Sequence, residues 1–293
     1  MTTTASVYTI AAVFAAAEKA FLGPNRKWKP INEMQKRFVS EVLEPTRSEL
    51  VRIPEITSIA ALSEIPINEF LKEEGFDIQL DPFPVVIPPE RAWGAASVLD
   101  VLMKWRVPGK VTTITTSAQT RFPAAKLSDE TVRIRRVGNT DVAMIETETA
   151  DVAYMAMWEK PLEHFELLAA VEDLTPEKGS YTPYEGLVFP MVDLDHQVDI
   201  SWLKGLNTID DENFFNKITQ ALQQTKLKMN HVGARIKDAV AIGGMRCTSM
   251  PNPPLVIDQP FLFWVMRPGL SRPLFAAHIT QEHWKDPGSL DDM

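Results

Sequence analysis

Few side chains in this sequence have the types and spacing that metal binding or catalysis requires. Asp193, Asp195 and His196 bring three potential cation ligands within four residues, and carboxylate and imidazole groups together could bind a metal ion. If this segment is a strand, alternation puts both aspartates on one face, which favours a solvated pair over a closed metal site. No histidine has metal-ligand spacing to a cysteine or to a pair of carboxylates; the histidines are His164, His196, His231, His278 and His283. We therefore predict no metal site.

Covalent catalysis has a single candidate, Cys247, which is the only cysteine. A lone thiol without a neighbouring base is a weak nucleophile. The sequence contains no Gly-x-Ser-x-Gly elbow, no His-Glu-x-x-His motif and no glycine-rich phosphate loop. We expect no enzymatic activity and no cofactor. One cysteine also excludes an internal disulfide, which favours a reducing compartment.

The apolar segment 8–17 resembles the middle of a signal peptide, but no positive leader precedes it and Glu18 and Lys19 follow at once. Residues 7–22 instead predict an amphipathic helix that ends at Gly23 and Pro24. No apolar run reaches the length needed to cross a membrane. We expect an intracellular protein without a membrane partner.

The composition is that of a folded globular protein, with 293 residues of which 45% are hydrophobic and 24% are charged. The 30 Lys and Arg residues against 39 Asp and Glu residues give a net charge of −9. This balance argues against nucleic acid as the main partner, because phosphate binding needs clustered positive charge. Two small basic clusters, residues 26–29 and Arg133 with Arg135 and Arg136, are interpreted as solvated faces and not as docking patches.

The chain changes character near a group of prolines between residues 82 and 89. Residues 1–90 are predicted to be mostly helical, with one strand at 76–80, and residues 91–293 to be rich in β-structure. The predicted strands of this second part lie at 97–105, 131–137, 141–148, 151–158, 186–194 and 226–242, and its helices at 162–171 and 214–225. We predict an α+β protein that forms one compact domain overall.

Residues 255–280 carry the most specific pattern. Two apolar, aromatic-rich runs flank the segment Arg267-Pro268-Gly269-Leu270-Ser271-Arg272, and strand-forming residues on both sides of Pro and Gly predict a buried β-hairpin. The order of residues goes beyond a generic hairpin, because Asp-Gln-Pro-Phe is followed by Leu-Phe-Ala and a short tail.

This motif resembles the C-terminal motif of the serpin family. The residues that carry the resemblance are Leu255, Ile257, Asp258, Gln259, Pro260, Phe261, Leu262, Phe263 and Val265. Residues 97–105, 187–206 and 226–242 are similar to serpin elements in the same order, whereas the N-terminal third matches poorly and is expected to be divergent or truncated. The resemblance implies a large mixed β-sheet with smaller packed sheets and mainly N-terminal helices.

Inhibitory serpins are cleaved in an exposed loop, which then inserts into the main sheet through a hinge of small residues. The resemblance aligns that hinge with Gly233, Ala234, Arg235, Ile236, Lys237 and Asp238. Gly233 and Ala234 fit the small-residue pattern and the next four residues depart from it. On a strand, Asp238 falls on the apolar face, where an unpaired carboxylate costs several kcal/mol to bury. We predict that this segment is not a working inhibitory hinge.

If the following loop is bait for a protease, spacing puts the cleaved bond near Met245, Arg246 or Cys247. Arg246 would attract a trypsin-like protease through a salt bridge.

Two functions therefore stay open. The first is a non-inhibitory, serpin-like protein that binds a protein partner or itself, as a structural or assembly component. The second is a serine protease inhibitor.

Overall fold

The computed structural model describes residues 2–23, 26–84, 92–162, 164–175, 180–234 and 252–290. Helices are concentrated in the first 75 residues. The α-helices are α1 (Val7–Ala17), α2 (Glu33–Arg37), α3 (Glu44–Thr46), α4 (Glu64–Glu73) and α5 (His164–Leu174). Wide π-helical turns extend α1 over Glu18–Leu22 and α2 over Phe38–Leu43, and 3₁₀ turns lie at Arg47–Arg52, Ser201–Leu203 and Gln281–His283. None of the described helices is long and apolar enough to cross a bilayer.

The remaining elements of the described residues are strands. They are β1 (Thr3–Ala5), β2 (Ile56–Ala61), β3 (Gly94–Leu99), β4 (Met103–Lys104), β5 (Lys110–Thr115), β6 (Arg121–Leu127), β7 (Val132–Val137), β8 (Thr140–Glu146), β9 (Val152–Met157), β10 (Ser180–Tyr181), β11 (Leu187–Pro190), β12 (Val192–Val198), β13 (Asn207–Ile209), β14 (Phe215–Lys217), β15 (Gln223–Met229), β16 (Gly233–Ala234), β17 (Leu255–Val256), β18 (Phe261–Met266) and β19 (Phe275–Ile279).

The largest sheet has seven antiparallel strands in the order β1-β19-β18-β9-β8-β7-β10. The predicted hairpin supplies its second and third strands: β18 and β19 pair from Phe261↔Ile279 to Val265↔Phe275, and Gly269 in the connecting loop has a φ of 85°. Phe261, Phe263 and Trp264 are fully buried, which explains why β18 is apolar at every position. The hairpin prediction is confirmed.

A second sheet has the order β17-β11-β6-β5, and its β11–β17 pair is parallel. Four further pairs, β2–β3, β12–β15, β13–β14 and β16–β4, are antiparallel ladders. Helix α1 contacts β2 and β3, and β15 contacts β16. One hydrophobic core joins the chain: it includes Tyr8 and Phe14 from α1 together with Trp105 and Trp264.

Two sequence predictions about elements were wrong. Residues 76–80 form no strand, and residues 214–225 are not a helix but contain β14 and the start of β15. The predicted strand 226–242 ends at Met229, after which the chain reverses before Gly233. The strands predicted at 131–137, 141–148 and 151–158 are confirmed as β7, β8 and β9, with ends shifted by one or two residues.

Candidate functional site

The most distinctive concave feature of the described chain lies between β3 and β15, and we call it the slot. Within the described residues, β3 pairs only with β2 and β15 pairs only with β12, so the two strands face each other with unpaired edges. A cavity of about 380 Å³ separates them, and it is lined by consecutive residues of both strands, 95–100 and 220–226. Lining by consecutive residues indicates that the strand edges themselves border the cavity, because side chains of one face would alternate.

Helix α1 closes one side of the slot. Thr9, Ile10 and Val13 line the cavity, and the Ser97 hydroxyl donates a hydrogen bond to the carbonyl oxygen of Thr9. Helix α1 contacts both β2 and β3.

The opposite side of the slot is covered by α4 and by the extended residues 76–81, which we call the strap. Phe76, Ile78 and Leu80 point toward Ala96 and Val98 of β3, and together with Ile67 and Leu71 of α4 they form a second small apolar cluster. The strap therefore has the alternation of a strand, although it pairs with no strand in the described part of the chain.

Side-chain amides hold the strap in place of a strand ladder. The Gln224 Oε1 atom accepts hydrogen bonds from the backbone N–H groups of Asp77 (3.0 Å) and Ile78 (3.2 Å). Gln220 accepts from the Asp81 N–H (2.8 Å) and donates to its carbonyl oxygen (3.1 Å). Asn68 of α4 makes the same pair of bonds with Leu80, at 2.9 and 3.0 Å. Each amide thus satisfies backbone groups that a strand partner would otherwise satisfy.

One end of the slot is occupied by β16. After β15 the chain turns at Asn230, whose N–H donates to the carbonyl oxygen of Gly233 (3.0 Å) and whose Oδ1 accepts from the Val232 N–H (2.8 Å). Residues 233 and 234 then pair antiparallel with Lys104 and Met103. Ala234 also lines a cavity of about 80 Å³ that shares Leu99, Asp100 and Lys226 with the larger one. Ala234 therefore lies next to one end of the slot.

Gly233 is required by this arrangement. A Cβ atom at Gly233 would lie 2.3 Å from the carbonyl oxygen of Met103, and that atom belongs to the backbone and cannot move aside. The family resemblance assigned Gly233 to the start of a hinge. The close approach of two backbones explains locally why this residue is a glycine.

Charged residues near the slot pair with one another. The Lys226 Nζ atom lies 3.1 Å from a carboxylate oxygen of Asp195 and 3.9 Å from one of Asp77. Asp193 stands opposite Lys228 in the β12–β15 ladder, so lysines neighbour both aspartates that were considered as cation ligands. Among the described residues, no group of three histidine, cysteine or acidic side chains is arranged to hold a metal ion.

His196 instead neighbours His283, with 6.4 Å between ring centroids. Burial lowers the pKa of His283, and the nearby His196 acts in the same direction.

Of the site residues predicted from the sequence, the structure describes Gly233 and Ala234. Arg235, Ile236, Lys237 and Asp238 lie outside the described residues, as do the bait candidates Met245, Arg246 and Cys247. Sequence reasoning did not find the slot or the strap. The available signal was the spacing of Gln220 and Gln224, two amides four residues apart where a helix had been predicted.

Comparison with known proteins gives a clear answer about the fold. The sequence matches no protein-family model and no curated protein. Solved structures do match. Serpin48 from the insect Tenebrio molitor aligns with 96% of this chain and 92% of its own, with a TM-score of 0.58 and 12% sequence identity. The chain has the serpin fold.

Two further structures agree. Tengpin, a thermophilic serpin in the native state, covers 96% of this chain and 88% of its own (TM-score 0.61, 10% identity). Thyroxine-binding globulin, in complex with thyroxine, covers 95% and 92% (TM-score 0.57, 12% identity). The predicted α+β, serpin-like class is confirmed. The alignments cover nearly the whole chain, so the likeness in structure also includes much of the N-terminal third, where the likeness in sequence is weak.

Proposed function

We propose that this serpin-like chain is a non-inhibitory binding protein whose slot accepts an extended segment of a protein partner. The observation that carries the proposal is the pair of edges of β3 and β15, which no strand of the described residues occupies and which face each other across a cavity of about 380 Å³. An added strand would pair its N–H and C=O groups with both edges, and side-chain pockets on the α1 side and on the strap side would select its residues.

The sequence after Ala234 supports the non-inhibitory assignment. Arg235, Ile236, Lys237 and Asp238 are bulky or charged, whereas a segment that inserts between two packed layers must bury its side chains on both faces. Burying the charges of this segment without partners would cost several kcal/mol. A partner segment with small and apolar side chains carries no such cost.

An experiment with a designed peptide tests the binding. A fluorescent peptide of alternating threonine and valine is expected to bind and to raise the melting temperature of the protein. The matched control is the same peptide with proline at every second position, which has lost half of its N–H donors and is expected not to bind. Equal binding of both peptides, or of neither, would contradict a strand-shaped site.

The second candidate is a serine protease inhibitor with its reactive bond at Met245, Arg246 or Cys247. One observation favours it: Gly233 and Ala234 run antiparallel to β4 next to one end of the slot, so the segment that the resemblance assigns to the hinge begins beside the two strands. In this case the inserted strand would come from the chain itself.

Protease reactions distinguish the two candidates. We expect trypsin-like and chymotrypsin-like proteases to cleave the loop without forming a detergent-stable complex, and we expect the cut protein to melt at the same temperature as the intact one. A covalent complex, or a large rise in melting temperature after the cut, would establish the inhibitor and overturn the non-inhibitory assignment.

A further inference from the structure

A small three-stranded surface near the N-terminus is both basic and apolar. Lys29 pairs antiparallel with Asn207 of β13, and β13 pairs with β14 through Asn207↔Lys217 and Ile209↔Phe215. Because antiparallel partners share a face, Lys29 and Lys217 lie on the same side as Ile209 and Phe215. We call this side the basic face; its residues are Lys27, Lys29, Ile31, Ile209, Phe215 and Lys217.

Burial confirms the assignment of faces. On the inner side Trp28, Thr208 and Asn216 are at most 4% exposed. On the outer side the lysines are exposed, and Ile31 and Phe215 keep 64% and 41% of their surface in contact with solvent. The strands therefore turn apolar side chains outward while polar Thr208 and Asn216 are buried, which is the reverse of the usual pattern of a solvated sheet.

The lysines of the basic face are uncompensated. Within the described chain, Lys27, Lys29 and Lys217 take part in no ion pair, whereas the adjacent Arg26 pairs with Asp211 at the tip of the β13–β14 hairpin. Of the other carboxylates close along the chain, Glu33 pairs with Lys36, and Glu212 lies on the same tip. A local positive charge thus stands on a chain whose net charge is −9.

The outer surface of α4 and the strap has the opposite character. Ile65, Glu69 and Glu73 recur at helical spacing on the solvent side of α4, and Asp77 and Asp81 alternate outward on the strap. Leu62 and Ile65 are each 59% exposed. We call this surface the acidic face; its residues are Leu62, Ile65, Glu69, Glu73, Glu74, Asp77 and Asp81.

We propose that the basic face of one molecule docks on the acidic face of a second copy. Each face combines exposed apolar side chains with charges that are mainly of one sign, and the two signs are opposite; the exceptions at the margins are Glu33 and Glu212 on the basic face and Lys72 and Lys226 on the acidic face. Apolar side chains surrounded by complementary charges are the ordinary composition of a protein–protein contact. The two faces share no residue, so the contact is heterologous and can extend from copy to copy.

Association through these two faces is expected to depend on salt concentration. Attraction between exposed charges is screened within about 10 Å at 0.1 M salt and about 3 Å at 1 M salt. Association by these faces must therefore weaken as salt is added and recover on dilution of the salt. An exchange of strands between copies would instead resist salt, because its hydrogen bonds are buried.

Sedimentation of three charge variants of the full chain tests the proposal at low salt. The basic-face variant carries Lys27→Glu, Lys29→Glu and Lys217→Glu, and the acidic-face variant carries Glu69→Lys, Glu73→Lys and Asp81→Lys. The control carries Lys110→Glu, Lys126→Glu and Lys160→Glu. These substitutions change three exposed lysines elsewhere and alter the net charge by the same amount as in the basic-face variant. We expect the first two variants to associate at least about tenfold more weakly than the natural chain. The control is expected to behave like the natural chain.

Mixing gives the decisive result. The basic-face variant has two negative faces and the acidic-face variant has two positive faces, so neither should associate alone, whereas their mixture brings opposite charges together at every contact. We expect the mixture to associate again into species larger than a dimer, and we expect one chain with all six substitutions to associate again through reversed charges. Salt-resistant oligomers, a natural chain that stays monomeric at low salt, or equal weakening by the control would overturn the proposal. The proposal does not depend on the slot, so the peptide experiment can fail while this one succeeds.

Discussion

Arg267 shows how one residue ties distant parts of the chain together. Its guanidinium contacts both carboxylate oxygens of Asp151 at 2.8–2.9 Å and both of Glu55 at 2.7–2.8 Å. Asp151 precedes β9, Glu55 precedes β2, and Arg267 follows β18. Arg267 is only 15% exposed and Asp151 only 5%, so solvent screens this network weakly.

We predict that Arg267→Met destabilises the protein by about 3–5 kcal/mol, because it leaves the buried charge of Asp151 without a partner. Urea unfolding followed by circular dichroism measures the change. Arg106→Met is the matched control: Arg106 also pairs with a glutamate, Glu146, but it is 59% exposed, so removing it should cost less than about 1 kcal/mol. Equal losses in the two variants would show that the network contributes no more than a surface pair.

The same network predicts a dependence on pH. Hydrogen bonds from Arg267 lower the pKa of Glu55, and this effect exceeds the opposing effect of burial. A carboxylate with a lowered folded-state pKa stabilises the fold above its unfolded pKa of about 4.3, and the contribution is lost as the pH falls through the folded value. The natural chain should therefore exceed Glu55→Gln in stability at pH 7, and the difference should shrink steadily below about pH 4.3. A difference that does not change with pH would contradict this origin.

At the scale of elements, the strap is held by amides and can be released without disturbing a sheet. We predict that Gln220→Ala with Gln224→Ala speeds hydrogen exchange at the N–H groups of Asp77, Ile78 and Asp81, which lose their acceptors. The control is Gln79→Ala, which removes an exposed amide from the strap itself.

Release of the strap should also open the slot. If the strap limits access, the double variant should bind the threonine–valine peptide more tightly than the natural chain, while Gln79→Ala should bind it equally well. Faster exchange without tighter binding would mean that the strap is mobile in the variant but does not cover the binding surface.

The strap also explains why one sequence prediction failed. Residues 76–80 alternate apolar and polar side chains, which predicts a strand, and the structure keeps that alternation. The alternation does not predict which groups accept hydrogen bonds from the backbone of the strap, because Gln220 and Gln224 lie about 140 residues further along the chain. The hairpin of β18 and β19 was predictable for the opposite reason, since its strands and its turn lie within one short segment.

The helix predicted at residues 214–225 was wrong for a different reason. The apolar side chains of these residues recur at helical spacing, yet β15 pairs along its whole length with β12. In β14, Asn216 is fully buried and its side-chain amide donates hydrogen bonds to Asp210 and Phe214. Long-range pairing therefore overrides a local preference of a few tenths of a kcal/mol per residue. The slot lies where long-range strand pairing of the described residues stops, between the edges of β3 and β15. Its position could therefore not be derived from the sequence alone.

At the scale of the molecule, the first 84 residues are integrated with the rest. Tyr8, Phe14 and Phe38 belong to the same apolar core as Trp264, and β1 forms the edge of the seven-stranded sheet by pairing with β19. This arrangement differs from a domain boundary, across which few contacts run. The group of prolines that marks a change in sequence composition therefore does not coincide with a division of the core.

We predict that residues 92–293 do not fold when expressed alone. Without the first 84 residues, β19 loses its neighbour β1, the α1 side of the slot is open, and Arg267 loses Glu55. The exposed edge and apolar surface should cause aggregation. Solubility, circular dichroism and urea unfolding of the fragment measure this, with the full chain as the reference. A soluble fragment that unfolds cooperatively would show that the β-rich region is a domain in its own right, and that the N-terminal helices only cover it.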